Sequence, residues 1–459
     1  MAAPRAGPPL PPPPVASDTG WFGHPRGLST LFFTEMWERF SYYGMKAFLI
    51  FYMTAPVAAG GLAFDVERAG HLFGFYTGSV WAASIGGGLV ADWLLGQYKS
   101  VLVGGVLIAL GHFTLAFHAL PFFYAGLALI VAGTGLLKPN VSTIVGSLYD
   151  TADARRDAGF SLFYMGINVG AVLGPLIAGW FAQRVDWHAG FACAGVGMTL
   201  GLIQYVLGRD RLRPAMARIA PKAGALRTDA AVGSPASSSG FLGFTEVEWK
   251  RIAAMAVFFV FASIFWGAFE QAGSTLNLFA DRYTRLSVLG FAFPASWFQS
   301  VPPTFVIMVA PAFAWLWVRL GPREPSSPAK FTLGPLFVGL SFLLLVPAAT
   351  AAQSAAGVRV SPLWLVGVYF LQELGEVSLY PVGLSLTTKL APARIVGFMM
   401  GVWLLSVAAG DLIAGWIAGL FESYPLPQLF GAVGLTAIGA AVLLALLVKP
   451  VRTLMGGVH

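Results

Sequence analysis

Charge is scarce in this sequence of 459 residues: Asp, Glu, Lys and Arg together make up 11% of it. A soluble domain usually carries about 25%, so the shortage excludes an ordinary water-facing surface. Cysteine is nearly absent. Cys193 stands alone, which excludes an internal disulfide and any metal site built from cysteines of one chain. The six histidines show no metal-ligand spacing, so no metal is expected. There is no GxxxxGK[ST] loop and no soluble nucleotide domain, which argues against a nucleotide-driven pump. No nucleophile motif rises above chance, and enzyme activity is not expected. The N-terminus, MAAPRAGPPLPPPPVASDTG, lacks the apolar core of a signal peptide and reads as a disordered proline-rich tail.

What remains is apolar. Hydrophobic residues make up 57% of the chain and the mean hydropathy is +0.72. The 55 glycines suit close helix packing in a bilayer. Spanning a bilayer takes roughly 20 apolar residues, and twelve segments qualify: 28–53, 69–94, 101–119, 122–148, 159–183, 188–207, 252–280, 294–320, 331–349, 362–388, 395–421 and 429–448. The reading is an all-α membrane protein with 12 transmembrane helices in two six-helix bundles. The bundles cover 28–208 and 251–448. They are joined by a cytoplasmic linker over 209–250, which contains the flexible stretch AAVGSPASSSG, and flanked by cytoplasmic tails over 1–27 and 449–459.

The net charge of +7 is a matter of topology and points to no nucleic acid. One set of loops and tails holds 20 of the 28 Lys and Arg residues and the opposite set holds 5. Basic residues collect on the cytoplasmic side, so both termini are expected in the cytoplasm. The chain is expected to be multi-pass in a cell membrane, with short loops of the bacterial inner-membrane kind.

The remaining three cations, Arg39, Lys46 and Lys138, fall within spans, as do Glu35, Glu38, Glu270, Glu373, Glu376 and Asp411. Ionisable residues in a bilayer core are costly and usually face a cavity or one another. The first span reads LFFTEMWERFSYYGMKAFLIFYM, and its spacing puts Glu35, Glu38, Arg39, Tyr42 and Lys46 on one helical face. The first six spans supply the cations and the last six supply only acids. A cavity between the halves therefore has a cationic and an anionic wall, suited to a zwitterion whose carboxylate meets Arg39 and Lys138 and whose amine meets Glu376. Glu35 and Glu38 beside Arg39 suggest proton coupling. A buried ion-pair network that only locks the bundles is the structural alternative.

Two segments add detail. GLVADWLLGQYK places Gly88, Asp92, Gly96 and Lys99 at the spacing of a loop motif of the major facilitator superfamily. In GTGLLKPNVSTIVG, Lys138 precedes a helix-bending Pro139.

TEMWERFSYYG resembles the ExxERFxYYG signature of the proton-dependent oligopeptide transporters. GTGLLKPNVS, FYMGINVGAVLGPLIAG, FWGAFEQAGSTLNLFAD and GEVSLYPVGLSLTTKLAP are similar to other blocks of that family. The resemblance implies a major-facilitator fold and proton-coupled import of di- and tripeptides by alternating access. It casts Glu35, Glu38 and Arg39 as the coupling triad with Glu270, and Arg39 and Lys138 as carboxylate-binding cations. Glu376 is the amine-binding acid, and Lys46 the gating partner of Glu270. Lys138 and Glu376 are also expected to gate. Tyr42, Tyr43 and Asn168 match peptide-contact positions, and Trp266 and Trp403 match aromatic walls. Protons, peptides and lipid are the expected partners, no cofactor is implied, and a monomer suffices.

Three positions depart from the family pattern. Trp81 stands where a Tyr is usual, Pro302 where an Asn is common, and Lys46 where an Arg is frequent. The first two bear on substrate range and keep open a second reading, the transport of another small organic or inorganic anion. A sensor without transport is a third, which the intact triad disfavours. The stretch 209–251 leaves no room for the two additional helices of many bacterial members.

Overall fold

Long runs of Leu, Val, Ala, Phe and Gly favour helices in a bilayer, because a helix satisfies its backbone hydrogen bonds within itself. The computed structural model describes residues 18–150, 153, 155–229, 244–354 and 358–456. Its first half comprises α1 (Arg26–Thr54), α2 (Val66–Val90), α3 (Gln97–Leu115), α4 (Leu120–Ser147), α5 (Arg156–Arg184) and α6 (Trp187–Leu207). After α7 (Arg209–Asp229) come α8 (Glu246–Phe269), α9 (Thr275–Tyr283), α10 (Val301–Leu320), α11 (Ser327–Ser354), α12 (Leu363–Leu390), α13 (Val396–Gly419) and α14 (Leu426–Leu454). Among the described residues, nine helical segments are long and apolar enough to cross a membrane. Helices α1, α2 and α12 are as long, with 29, 25 and 28 residues, and α1 carries four charges through its middle.

Polar residues punctuate the helices where their side chains can cap free N–H groups. Asp65 accepts from the Arg68 N–H at 2.6 Å to start α2, and Asp186 accepts from the His188 N–H at 2.9 Å to start α6. Thr245 and Glu248 start α8 with a reciprocal capping box.

In the first half α1 packs on α5 and α6, and α3 on α4 and α6. In the second, α11 packs on α12 and α14, and α8 on α13 and α14. The halves meet chiefly through α2 against α13, and through α5 against a 3₁₀ turn, Ala295–Ser300, that precedes α10. The chain enters α1 at the end of the bundle where most basic loops gather, here termed the basic end. Toward the opposite end α2 and α13 touch backbone to backbone. A Cβ on Gly70 would lie 2.9 Å from the Gly415 carbonyl oxygen, and one on Gly74 would lie 2.5 Å from that of Asp411. Toward the basic end the pair loosens, and a Cβ on Gly401 would meet only the Ile85 side chain, at 3.6 Å.

At the basic end Arg155 ties two segments together. It pairs with Asp153 at 2.8 Å and donates to the Gly23 carbonyl at 2.9 Å. Its hydrogen bonds hold the Asp153 carboxyl down at about 2.

Two elements differ from the sequence reading. The segment 252–280 is not one helix: α8 ends at Phe269, a 3₁₀ turn runs over Glu270–Gly273, and α9 follows. Backbone groups freed by such a break need other partners. Gln299 Nε2 donates to the Ala272 carbonyl at 2.6 Å, and Asn277 Nδ2 donates to the Gly273 carbonyl at 3.3 Å. The second difference is α7, which occupies the first part of the stretch read as linker. Leu212, Ala215 and Ile219 recur at helical spacing and are buried among residues of α1 and α4. The AAVGSPASSSG stretch and the proline-rich run before residue 18 lie outside the described residues.

Candidate functional site

The charged face of α1 points into the interior between the halves. Glu35, Glu38 and Arg39 are all buried, with at most 2% exposure. Arg39 grips Glu38 with two hydrogen bonds, Nε to Oε2 and Nη2 to Oε1, the second at 2.6 Å. Its Nε lies 3.4 Å from Glu35 Oε1. The guanidinium also faces the rings of Tyr42 and Tyr43, at 5.2 and 5.9 Å from their centroids. Small residues on α5 allow this approach, since a Cβ on Gly170 would lie 3.0 Å from that of Arg39. One guanidinium thus holds Glu38 by hydrogen bonds and Glu35 by charge, with Glu35 Oε2 left without a partner, so protonating either acid changes what holds Arg39.

A second ion pair joins the halves. Lys46 Nζ lies 2.7 Å from Glu270 Oε2, with both side chains nearly buried. The break after α8 is what aims Glu270 at α1. Gly273 leaves space for the lysine, since a Cβ there would sit 3.0 Å from Lys46 Cε. Around this pair the end opposite the basic one is sealed by contacts between the halves. Asn277 Nδ2 donates to the Ala47 carbonyl at 3.0 Å, and the Ser296 N–H to Gln183 Oε1 at 2.8 Å. Trp297 Nε1 donates to the Leu176 carbonyl at 3.0 Å, and Ser300 Oγ to that of Val172 at 2.7 Å.

Inside the seal lies a cavity of about 450 Å³. Glu35, Arg39, Tyr43, Lys46, Trp81, Lys138 and Asn168 line it from the first half, and Trp266, Glu270, Glu373 and Glu376 from the second. The cavity thus has a mostly cationic wall and an anionic wall, as the sorting of charges in the sequence implies. Toward the basic end its lining includes Ser142 and Tyr164, which are exposed. Lys138 makes no ion pair among the described residues, and its ammonium lies over the Trp81 ring. Asn168 donates to the Tyr164 carbonyl at 3.0 Å. Pro302 is on the wall, and its neighbour Gln299 is occupied with the Ala272 carbonyl and Asn277. Among the described residues no group of three or more His, Cys, Asp or Glu side chains is placed to hold a metal ion.

Three residues singled out from the sequence stand behind the wall. Glu38 is fully buried behind Arg39. The Tyr42 ring is in the core, between Arg39 and Lys46. Trp403 packs among Phe259, Phe331 and Tyr380, with Gly383 against its ring. Conversely, Tyr164 and Tyr380 line the cavity without having been anticipated. Each lies one helical turn from a singled-out residue, Tyr164 before Asn168 and Tyr380 after Glu376. The i, i+4 spacing was the available signal.

Two helical halves around a charged cavity, closed at one end, define a membrane transporter. The sequence profile of the POT family (PTR2) matches residues 98–218 and 244–433. An uncharacterised transporter, YclF, of Bacillus subtilis (strain 168) is 43% identical, covering 96% of each chain. The peptide transporter YePEPT of Yersinia enterocolitica is 38% identical over 95% of this chain and 96% of its own. A di-/tripeptide transporter of Lactococcus lactis is 35% identical over 96% and 98%. Among solved structures, a substituted peptide transporter POT in complex with alafosfalin superposes with a TM-score of 0.85 at 40% identity, covering 96% of this chain and 98% of that one. A POT family transporter in complex with 5-aminolevulinic acid gives 0.83 at 31%, over 95% and 98%. The chain belongs to the POT family of membrane transporters.

Proposed function

We propose that the protein is a proton-coupled symporter that imports di- and tripeptides by alternating access. One observation carries this reading: a single cavity has Arg39 and Lys138 on one half and Glu376 on the other. A short peptide is a zwitterion whose two ends match those walls, and paired charge-assisted hydrogen bonds orient it across the cavity. The names of the peptide-transporting relatives support the same substrate class.

The basic end is assigned to the cytoplasm by its Lys and Arg excess, with twelve crossings and both termini inside. The conformation is then inward-facing, closed at the outer end by Lys46–Glu270 and the bonds around it. In the cycle proposed here, a proton taken up by the Glu35/Glu38 pair loosens the hold on Arg39 and releases it toward the peptide carboxylate. Rocking of the halves about the cavity then exposes the site to the cytoplasm. Both walls belong to one chain, so a monomer can carry out the cycle.

The test is peptide-driven acidification of the lumen of proteoliposomes. Di- and tripeptides are expected to drive proton entry and their own accumulation. Folded protein that shows no peptide-dependent proton flux would overturn the reading. Transport of non-peptide anions alone would favour the second reading, against which the Glu376 carboxyl on the wall argues.

A further inference from the structure

Asp411 has no place in the cycle above, yet it is a fully buried acid outside the cavity wall. It sits on α13 at the glycine seam with α2, 1% exposed, and neither carboxyl oxygen has a hydrogen-bond partner. Its own backbone carbonyl presses on Gly74, and a Cβ on Gly78 would lie 3.6 Å from its Cβ. Both of its oxygens are shielded from solvent while the seam is shut. Thr77 faces it from α2, but the Thr77 hydroxyl already donates to the Phe73 carbonyl at 3.0 Å. Thr77 is thus at best one shared, neutral donor to Asp411. The charged and titratable groups facing it are Lys46 and Tyr42 from α1, Glu270 from the turn after α8, and Lys138 from α4. Lys46 is committed to Glu270. An ionised carboxylate with no more than one neutral, shared donor in an apolar interior is disfavoured, whereas a neutral carboxyl beside a hydroxyl is not.

We propose that Asp411 is a proton-binding site of the outer gate, whose occupancy licenses closure of the α2–α13 seam. When the seam is parted, outer water hydrates the carboxylate and hydronium delivers a proton to one of its oxygens. The seam can then shut over a neutral group. When the carboxyl is ionised, closing would strip its hydration without replacement, so the parted seam is favoured. This proton differs from the one assigned to Glu35 and Glu38, because it is held at the seam of the gate and not beside Arg39. The proposal takes the orientation of the gate from the functional reading above, but its test needs neither peptide nor proton gradient.

The experiment measures distances between spin labels on purified protein in lipid nanodiscs. Cys193→Ser removes the native thiol, and Val57→Cys and Leu289→Cys place labels on exposed outer loops of the two halves. With native Asp411, the long-distance population is expected to grow as pH rises. Asp411→Asn should remain short at every pH, and Asp411→Glu should restore the response. An absent response with Asp411 intact overturns the proposal, and this arm needs no change at the site. An Asp411→Asn response equal to the native one overturns it as well. Loss of peptide transport in the native protein would sink the functional reading and leave these distances to decide the gate.

Discussion

The Lys138 ammonium lies 3.2 Å from the centroid of the Trp81 ring, and no carboxylate among the described residues pairs with it. Among the described residues it is the cavity cation without an ion pair, so an incoming carboxylate breaks none to reach it. Contact with a ring face offsets part of the cost of leaving a lysine unpaired. Lys138→Ala is expected to weaken binding of peptides with a free C-terminus by roughly 10- to 100-fold, equivalent to about 1.5–3 kcal/mol for a charged hydrogen bond. C-amidated peptides should be affected much less. Equal losses for both in a binding titration would show that Lys138 acts on the fold.

Trp81 should tune that lysine. Trp81→Ala removes the ring under the ammonium, at a cost of about 0.5–2 kcal/mol in holding it. Trp81→Phe should keep most of the effect. Competition uptake with a labelled dipeptide across the series checks the order, native then Phe then Ala, and a flat series would remove Trp81 from the site.

Glu38→Gln is expected to abolish proton-driven accumulation while sparing part of the counterflow exchange. Glu38 is behind Arg39 and does not line the cavity, so the exchange of bound peptide does not require it directly. The two assays on one proteoliposome preparation separate coupling from binding, and a parallel loss of both would point to misplacement of Arg39.

Removing one member of Lys46–Glu270 leaves a nearly buried charge alone, which costs roughly 3–5 kcal/mol. Lys46→Met and Glu270→Met should therefore each lower the melting temperature in detergent. The double variant should recover much of the loss, because no unpaired charge remains. Additive losses in the double variant would contradict a direct pair.

Leu212 anchors α7 with no exposure. Leu212→Ala is expected to cost about 2–5 kcal/mol locally. Hydrogen exchange should rise in α7 while the cavity helices keep their protection. A global loss of protection would mean that α7 is part of the cooperative core.

The chemistry of the site was legible because a bilayer makes every ionisable residue conspicuous. Glu35, Arg39, Lys138, Glu270 and Glu376 stand out against apolar neighbours, and their division by half needs no coordinates. What lay hidden depended on short-range competition. Nothing in an apolar run through FWGAFEQAGSTLNLF marks where a helix stops, because the carbonyls freed at Glu270–Gly273 are answered by Gln299 and Asn277, which lie elsewhere along the chain. Periodicity put Tyr42 on the charged face, but neighbouring helices decide which part of a face is wall and which is core, and that ring is in the core. Trp403 was placed on a wall by resemblance, whereas Tyr380 occupies the wall in front of it. Helix α7 escaped notice because its short apolar stripe, Leu212, Ala215, Met216 and Ile219 among the described side chains, lies within a charged stretch.

The seam between α2 and α13 touches through bare backbone at Gly70, Gly74 and Gly415. A joint made without side chains needs no rotamer to change when it parts, and it tolerates no added thickness when it shuts. The resting balance between the two faces of the carrier is therefore set by fit at the scale of one methyl group. Alanine at Gly74 would act as a shim, holding the outer end ajar without removing a charge or reaching the peptide site.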